Sequence, residues 1–136
     1  MKWLDRAEVQ AWWALSASDL RVARVVLDLQ PPEWHVACFH AQQAAEKALK
    51  ALLEAHELPV PRTHDLALLV QRLNALGPTG EVAEPAIRLS IHGVGPRYPG
   101  PSGEATETDA RVAVADATAI RAWAEGLLTG TNADNG

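Results

Sequence analysis

The sequence is poor in cysteine and in long apolar runs, and both absences limit where the protein can work. Cys38 is the single cysteine among 136 residues, so no disulfide can form within the chain, and a reducing compartment is expected. The first ten residues include charged side chains and no apolar core, unlike a secretory signal peptide. No stretch approaches the roughly 18 uncharged apolar residues of a membrane-spanning helix. We therefore expect a soluble, cytoplasmic protein.

An excess of basic charge is also absent. The chain carries 12 lysines and arginines against 17 acidic residues, a formal net charge of −5 at pH 7. This balance disfavours a protein that coats nucleic acid through a broad basic surface. It leaves open a small basic pocket for one phosphate or one RNA strand, because arginine outnumbers lysine nine to three and forms paired hydrogen bonds with phosphate.

Familiar motifs for metals and nucleotides are missing as well. The five histidines and the single cysteine show no metal-ligand spacing, so no metal site is expected. The sequence has no phosphate-binding loop, no dinucleotide fingerprint and no nucleotidyltransferase motif. We therefore predict no metal and no cofactor, and any nucleotidyltransferase activity would have to come from another chain.

Helical periodicity, by contrast, runs through most of the sequence. Apolar residues recur at helical spacing in five segments, separated by proline- and glycine-rich connections. The predicted helices cover residues 4–29, 33–57, 63–76, 80–92 and 106–128, with Thr63 capping the third and Pro85 breaking the fourth near its start. The pattern predicts one all-α domain over residues 1–128, a four- to five-helix up-and-down bundle, followed by a disordered tail over residues 129–136.

The second and fifth predicted helices are amphipathic. The second has an alanine-rich stripe, predicted to be buried or to form a dimer seam, and an opposite polar stripe, predicted to face solvent or to line a groove. The polar stripe comprises His40, Gln43, Lys47, Lys50 and Glu54. In the fifth helix the residues predicted to face inward are Val112, Ala115, Ala119, Ile120, Trp123 and Leu127.

Four short motifs resemble, in order, those of one protein family. Residues 37–53 read ACFHAQQAAEKALKALL, residues 17–23 fit AxDLxxA, residues 63–66 read THDL and residues 97–100 read RYPG. These motifs resemble, respectively, the central helix, the first helix, the start of the third helix and the arginine–tyrosine–proline loop of HEPN domains (higher eukaryote and prokaryote nucleotide-binding domains). The resemblance covers about residues 7–128.

The resemblance implies a helical bundle that forms homodimers. Many family members pair with a minimal nucleotidyltransferase in a toxin–antitoxin arrangement, and some of those partners modify a tyrosine of the HEPN protein. Tyr98 is the only tyrosine here. Active members are metal-independent endoribonucleases, with an arginine, four to six residues, and then a histidine. The nearest match here, Arg88 to His92, has only three intervening residues.

Six residues follow as candidates for function. Arg88 and His92 are candidate catalytic residues, because a histidine can shuttle the 2′-hydroxyl proton and an arginine can hold the phosphate charge, although they also fit an exposed helix pair. For nucleotide or RNA binding the candidates are Arg97, Tyr98, His40 and Lys47. Arg97 and Tyr98 fit a phosphate clamp and a stacking platform, or else simple loop anchors.

Two functions from different classes are compatible with these observations. The first is a binding partner of a minimal nucleotidyltransferase in a toxin–antitoxin-type pair, holding nucleotide or RNA. The short spacing from Arg88 to His92 and the negative net charge favour it. The alternative is an active, metal-independent endoribonuclease toxin.

Overall fold

The computed structural model describes residues 6–93 and 103–130, and within those ranges it contains helices and no strand. Two short 3-10 turns, Leu73–Leu76 and Ile91–Gly93, extend the third and fourth helices. The five α-helices are α1 (Ala7–Val26), α2 (Trp34–Ala55), α3 (Leu66–Arg72), α4 (Gly80–Ser90) and α5 (Glu107–Leu128). The predicted all-α architecture of four to five helices is confirmed, with five α-helices in the described residues. None of the described helices is long and apolar enough to cross a membrane.

Helix α2 is the centre of the bundle. Helices α1 and α5 both pack along it and touch each other, and α4 packs on both α3 and α5. Fourteen of the 22 residues of α2 are buried. Alanine occupies half of those buried positions, and its small side chain lets the neighbouring helix axes come close.

The alanine stripe of α2 is buried as predicted, whereas two further expectations for this helix are wrong. Its alanine stripe is covered by α1 and α5 of the same chain, so it is not available as a dimer seam. Its polar stripe is not a solvated face either, because Lys50 is buried and His40, Gln43 and Lys47 are half-buried. The reason is positional, since a central helix has neighbours on more sides than an amphipathic surface helix does.

The N-terminus of α3 is capped by Asp65 and not by Thr63. Asp65 Oδ1 accepts hydrogen bonds from the backbone N–H groups of Ala67 and Leu68, at 3.0 and 3.3 Å. Thr63 Oγ1 accepts from the N–H of Asp65 itself and so holds the capping residue in place. An aspartate is as good a cap as a threonine, and the chain begins its helix two residues later than predicted.

Two details of the C-terminal half also differ from the predictions. Pro85 lies inside a continuous α4 and does not break it, because burial of Val82, Ala86 and Leu89 holds the helix together around the proline. In α5 the predicted inward residues Val112, Ala115 and Ala119 are exposed. The residues that α5 buries instead are Ala110, Ala113, Val114, Asp116, Ala117, Ile120, Ala124 and Leu128.

Candidate functional site

A groove of about 320 Å³ lies between α4 and α5. It brings together the two predicted catalytic residues, Arg88 and His92, and two carboxylates that the sequence did not single out, Asp109 and Asp116. The remaining lining residues are Ile87, Ile91, Thr108, Val112 and Ala113.

Arg88 forms a paired salt bridge with Asp116 across this groove. Its Nε and Nη2 atoms each donate to one oxygen of the Asp116 carboxylate, both at 2.9 Å. The Asp116 side chain is only 9% exposed, whereas that of Arg88 is 50% exposed. The hydrogen bond and the charge of Asp116 raise the pKa of Arg88 further above its ordinary value. The guanidinium is therefore permanently charged, and two of its donors are occupied.

His92 lies in the 3-10 turn after α4 and is buried, with 7% of its surface exposed. Burial lowers the pKa of His92, while the negative charges of Asp109 and Asp116 oppose that shift. The imidazole is therefore held toward its neutral form at neutral pH. Asp109 has a structural task of its own, since its carboxylate and the Thr106 hydroxyl form the reciprocal N-terminal cap of α5.

The rim of the groove is apolar. Ile87, Ile91 and Val112 are 59%, 49% and 42% exposed, which is unusual for three neighbouring large apolar side chains. A groove with apolar walls and a few polar groups at its base is typical of a small-molecule site.

His40 and Lys47 belong to a different cluster, between α1 and α2. Both bind Asp19: His40 Nδ1 lies 2.9 Å from Oδ1, and Lys47 Nζ donates to Oδ2 at 2.6 Å. The Asp19 side chain is 14% exposed. The structure therefore brings the two predicted binding residues together but neutralises part of their charge, and neither lines the α4–α5 groove.

A third polar cluster surrounds Glu46, whose side chain is 4% exposed. Its carboxylate accepts hydrogen bonds from Lys50 Nζ and His64 Nδ1, both at 2.9 Å, and from Gln42 Nε2 at 3.3 Å. Gln42 also donates to the carbonyl of His64. This cluster fixes the segment before α3 against α2, which gives Glu46 and Lys50 a structural role.

Sequence reasoning missed the carboxylates that organise these clusters. Asp19 and Glu46 lie within the two helix motifs that carry the family resemblance, so a signal for them existed. Asp116 gave no signal, because it is 28 residues from Arg88 and no spacing rule joins them. Arg97 and Tyr98 lie outside the described residues, and their roles stay predictions. Over residues 6–93 and 103–130 no group of three or more metal-ligating side chains occurs.

The fold and the groove define a class of protein: a small α-helical bundle with a charged, apolar-walled groove between its last two helices. The family model of the HEPN domain matches residues 9–127 of this chain. The chain therefore belongs to the HEPN family, and the resemblance found in its motifs is confirmed.

Solved structures agree with this assignment. The chain is similar to TT1696 from Thermus thermophilus, with 30% identity, a TM-score of 0.76, and coverage of 88% of this chain and 98% of that one. It is also similar to an archaeal HEPN homologue, with 28% identity, a TM-score of 0.72, and coverage of 88% and 97%. No curated protein matches the chain.

Proposed function

We propose that this protein is the nucleotide- or RNA-binding partner of a minimal nucleotidyltransferase, in a toxin–antitoxin-type pair, and that it works as a homodimer. Membership of the HEPN family supports the pairing and the dimer. The α4–α5 groove supports the binding role, and the state of Arg88 and His92 within it favours binding over catalysis.

The paired salt bridge between Arg88 and Asp116 is the observation that carries this choice. A ribonuclease of this kind needs an arginine that stabilises the charge on the phosphate in the transition state, and a histidine that exchanges protons with the 2′-hydroxyl. Here the charge of Arg88 is already balanced by a carboxylate, and His92 is buried with a lowered pKa. Such a pair is better suited to holding a ligand than to cleaving one.

The groove accommodates the two halves of a nucleotide in different ways. Ile87, Ile91 and Val112 offer apolar surface for a base. Arg88 Nη1 is not bound to Asp116 and lies 3.9 Å from the exposed Glu84 carboxylate, so a phosphate would compete with Glu84 for it. Thr108, at the edge of the groove, offers a hydroxyl as a further polar contact. Because Asp109 and Asp116 make the base of the groove negative, we expect binding to be moderate and strongly dependent on salt.

One observation favours the alternative, an active endoribonuclease. Arg88 and His92 line the same groove, even though their spacing in the sequence is shorter than in the family signature. Half of the Arg88 side chain is exposed, so an RNA phosphate can compete with Asp116 for the guanidinium. In that case RNA binding itself would release the catalytic arginine.

RNA cleavage in chelating buffer separates the two functions. We expect the purified wild-type protein to leave a mixed single-stranded RNA intact, because the groove holds Arg88 and His92 in an inactive arrangement. Cleavage that persists with the chelator, stops in His92→Ala and continues in His35→Ala would instead establish the enzyme. His35 is a matched control because it is an exposed histidine at the start of α2.

Calorimetric titration with ATP, AMP and a short RNA tests the binding role. We expect Asp116→Asn, which keeps the shape of the side chain but removes its charge, to bind phosphate-bearing ligands about threefold to tenfold more tightly, because Arg88 is released. Glu125→Gln removes one charge from an exposed position of α5 and controls for net charge. Absence of binding by the wild type and by Asp116→Asn at millimolar ligand would contradict the proposal.

The proposed partner can be tested in the native host. A tagged copy of this protein should co-purify with a nucleotidyltransferase, identified by mass spectrometry and by its own transferase activity. Recovery of the tagged protein without any nucleotidyltransferase would contradict the pairing while leaving the ligand titrations unaffected.

A further inference from the structure

The outer side of α1 carries apolar residues that the bundle does not use. Leu15, Val22 and Val25 are 50%, 38% and 60% exposed. Together with Ser18 they occupy positions 15, 18, 22 and 25, which are separated by three, four and three residues. This alternating spacing is typical of a helix face that packs against another helix. We call these four residues the outer stripe.

The opposite side of α1 is already occupied. Val9, Leu20, Ala23 and Val26 are buried there, against α2 and the rest of the core. The outer stripe is therefore not a loosely packed part of the core but a separate face. Leu29, 39% exposed just after α1, continues it by one more step of four residues.

Two charged residues of opposite sign lie along one edge of the outer stripe. Arg21 and Asp28 are exposed and seven residues apart, which places them on one edge of the helix, two turns from each other. Asp28 lies in the turn that follows α1, where its N–H donates to the carbonyl of Val25, three residues earlier, at 3.1 Å. Leu27, just before it, keeps a helical backbone conformation, so Asp28 stays close to the same edge. Within the described part of the chain, no ion pair joins either residue to a neighbour.

We propose that the outer stripe binds the outer stripe of a second copy of this chain, with the two α1 helices antiparallel about a two-fold axis between Val22 and Val25. A two-fold axis of this kind keeps equivalent edges of the two helices on the same side. At a rise of about 1.5 Å per residue, Arg21 and the partner's Asp28 then lie within about 3 Å of each other along the helix direction. The symmetry forms the same ion pair twice.

The charge pattern selects a second copy over another partner. An isologous interface requires a surface that is complementary to itself, and opposite charges placed on both sides of one axis meet that requirement. A different protein would need no such relation between Arg21 and Asp28. The other exposed apolar cluster, at the rim of the α4–α5 groove, is separate and stays available to a ligand.

This inference rests on the homodimer included in the proposed function and names the surface that forms it. The test is sedimentation equilibrium over a wide range of micromolar concentrations. We expect the wild type to dimerise, and Arg21→Glu or Asp28→Arg to raise the dissociation constant about tenfold each, because each change places like charges opposite one another twice. The charge-swapped double variant Arg21→Glu/Asp28→Arg should return to within about twofold of the wild type.

Two further variants separate this face from the groove. Val25→Asp should dissociate the dimer, whereas Ile87→Asp, at the groove rim, should leave the dissociation constant unchanged. Circular dichroism verifies that each variant is folded. A monomeric wild type, dissociation by Ile87→Asp but not by Val25→Asp, or failure of the double variant to recover would each overturn the inference. Ligand titrations on the same samples report separately on binding in the α4–α5 groove. A failure of the proposed dimer surface can therefore be distinguished from a failure of the proposed ligand binding.

Discussion

His92 is the residue whose protonation the fold controls most directly. Burial lowers its pKa, although Asp109 and Asp116 face it and partly oppose the shift. The folded protein therefore keeps a neutral imidazole down to a lower pH than the unfolded chain does. As the pH falls below about 6.5, the histidine becomes protonated in the unfolded chain before it does so in the folded protein. The free energy of unfolding therefore decreases until the pH falls below the pKa of His92 in the folded state.

We predict that the free energy of unfolding of the wild type decreases as the pH is lowered from 7.5 to 5.5. The free energy of unfolding of the His92→Gln variant should decrease less steeply over the same range. One histidine contributes at most about 1.4 kcal/mol per pH unit to that slope. The half-buried His56, whose pKa is also lowered by burial, contributes to both proteins alike. Urea unfolding at a series of pH values measures the slopes. The exposed His35→Gln is the control, and equal slopes for wild type and His92→Gln would contradict the prediction.

Individual carboxylates decide the roles of the basic residues around them. Asp116 holds Arg88, and Asp19 holds both His40 and Lys47. Each of these three basic side chains is therefore paired with a carboxylate, and Arg88, which also lies 3.9 Å from Glu84, is the most exposed of the three.

Among the elements, α3 depends most on its cap. It is only seven residues long, and isolated helices of that length are unstable in water. Asp65 satisfies two backbone N–H groups at its start, and Ser90 Oγ accepts from a third, that of Leu66. The N-terminus of α3 is therefore held both by its own sequence and by the end of α4.

We predict that Asp65→Ala lowers the free energy of unfolding by about 1 kcal/mol, the usual loss for an N-cap. Thr63→Ala should cost less, because Thr63 accepts only from the N–H of Asp65 and caps no residue of the helix. Thermal and urea unfolding of the two variants measure the difference. A larger loss for Thr63→Ala would show that Thr63 is the effective cap after all.

For the molecule as a whole, Ser16 joins three helices at one point. Its hydroxyl, on α1, donates to the carbonyl of Ala44 on α2 and accepts from Arg121 Nη1 on α5, the latter at 2.7 Å. The Arg121 guanidinium also stacks on the Trp13 ring, with 4.0 Å from Cζ to the ring centroid. Ser16 is fully buried, so this charged contact is shielded from water.

We predict that Ser16→Ala destabilises the protein by about 1–3 kcal/mol, because Arg121 loses a buried hydrogen-bond acceptor. Ser18→Ala, on the outer stripe of the same helix, should change stability by no more than about 0.5 kcal/mol. Chemical unfolding monitored by tryptophan fluorescence measures both. Equal effects of the two changes would mean that the Ser16 hydrogen bonds add nothing to stability.

The sequence alone determined the number of helices, their approximate ends and the family. Proline and glycine are concentrated in the connections between helices, and apolar residues recur at helical spacing between those connections. Local interactions therefore suffice to place α1, α2 and α5. The family motifs lie mostly within single elements, where they are readable without a structure. The same local information brought Arg88 and His92 within one turn of each other.

Tertiary structure decided which faces are buried and which charges are paired. Periodicity gives the angle of a stripe but not the number of neighbours, so it assigned one buried side to α2, where the bundle covers most of the helix. The partners Arg88–Asp116, Lys47–Asp19 and His64–Glu46 are 28, 28 and 18 residues apart. Because such contacts depend on how helices pack, no local pattern contains them, and one of them, Arg88–Asp116, sets the chemistry of the groove.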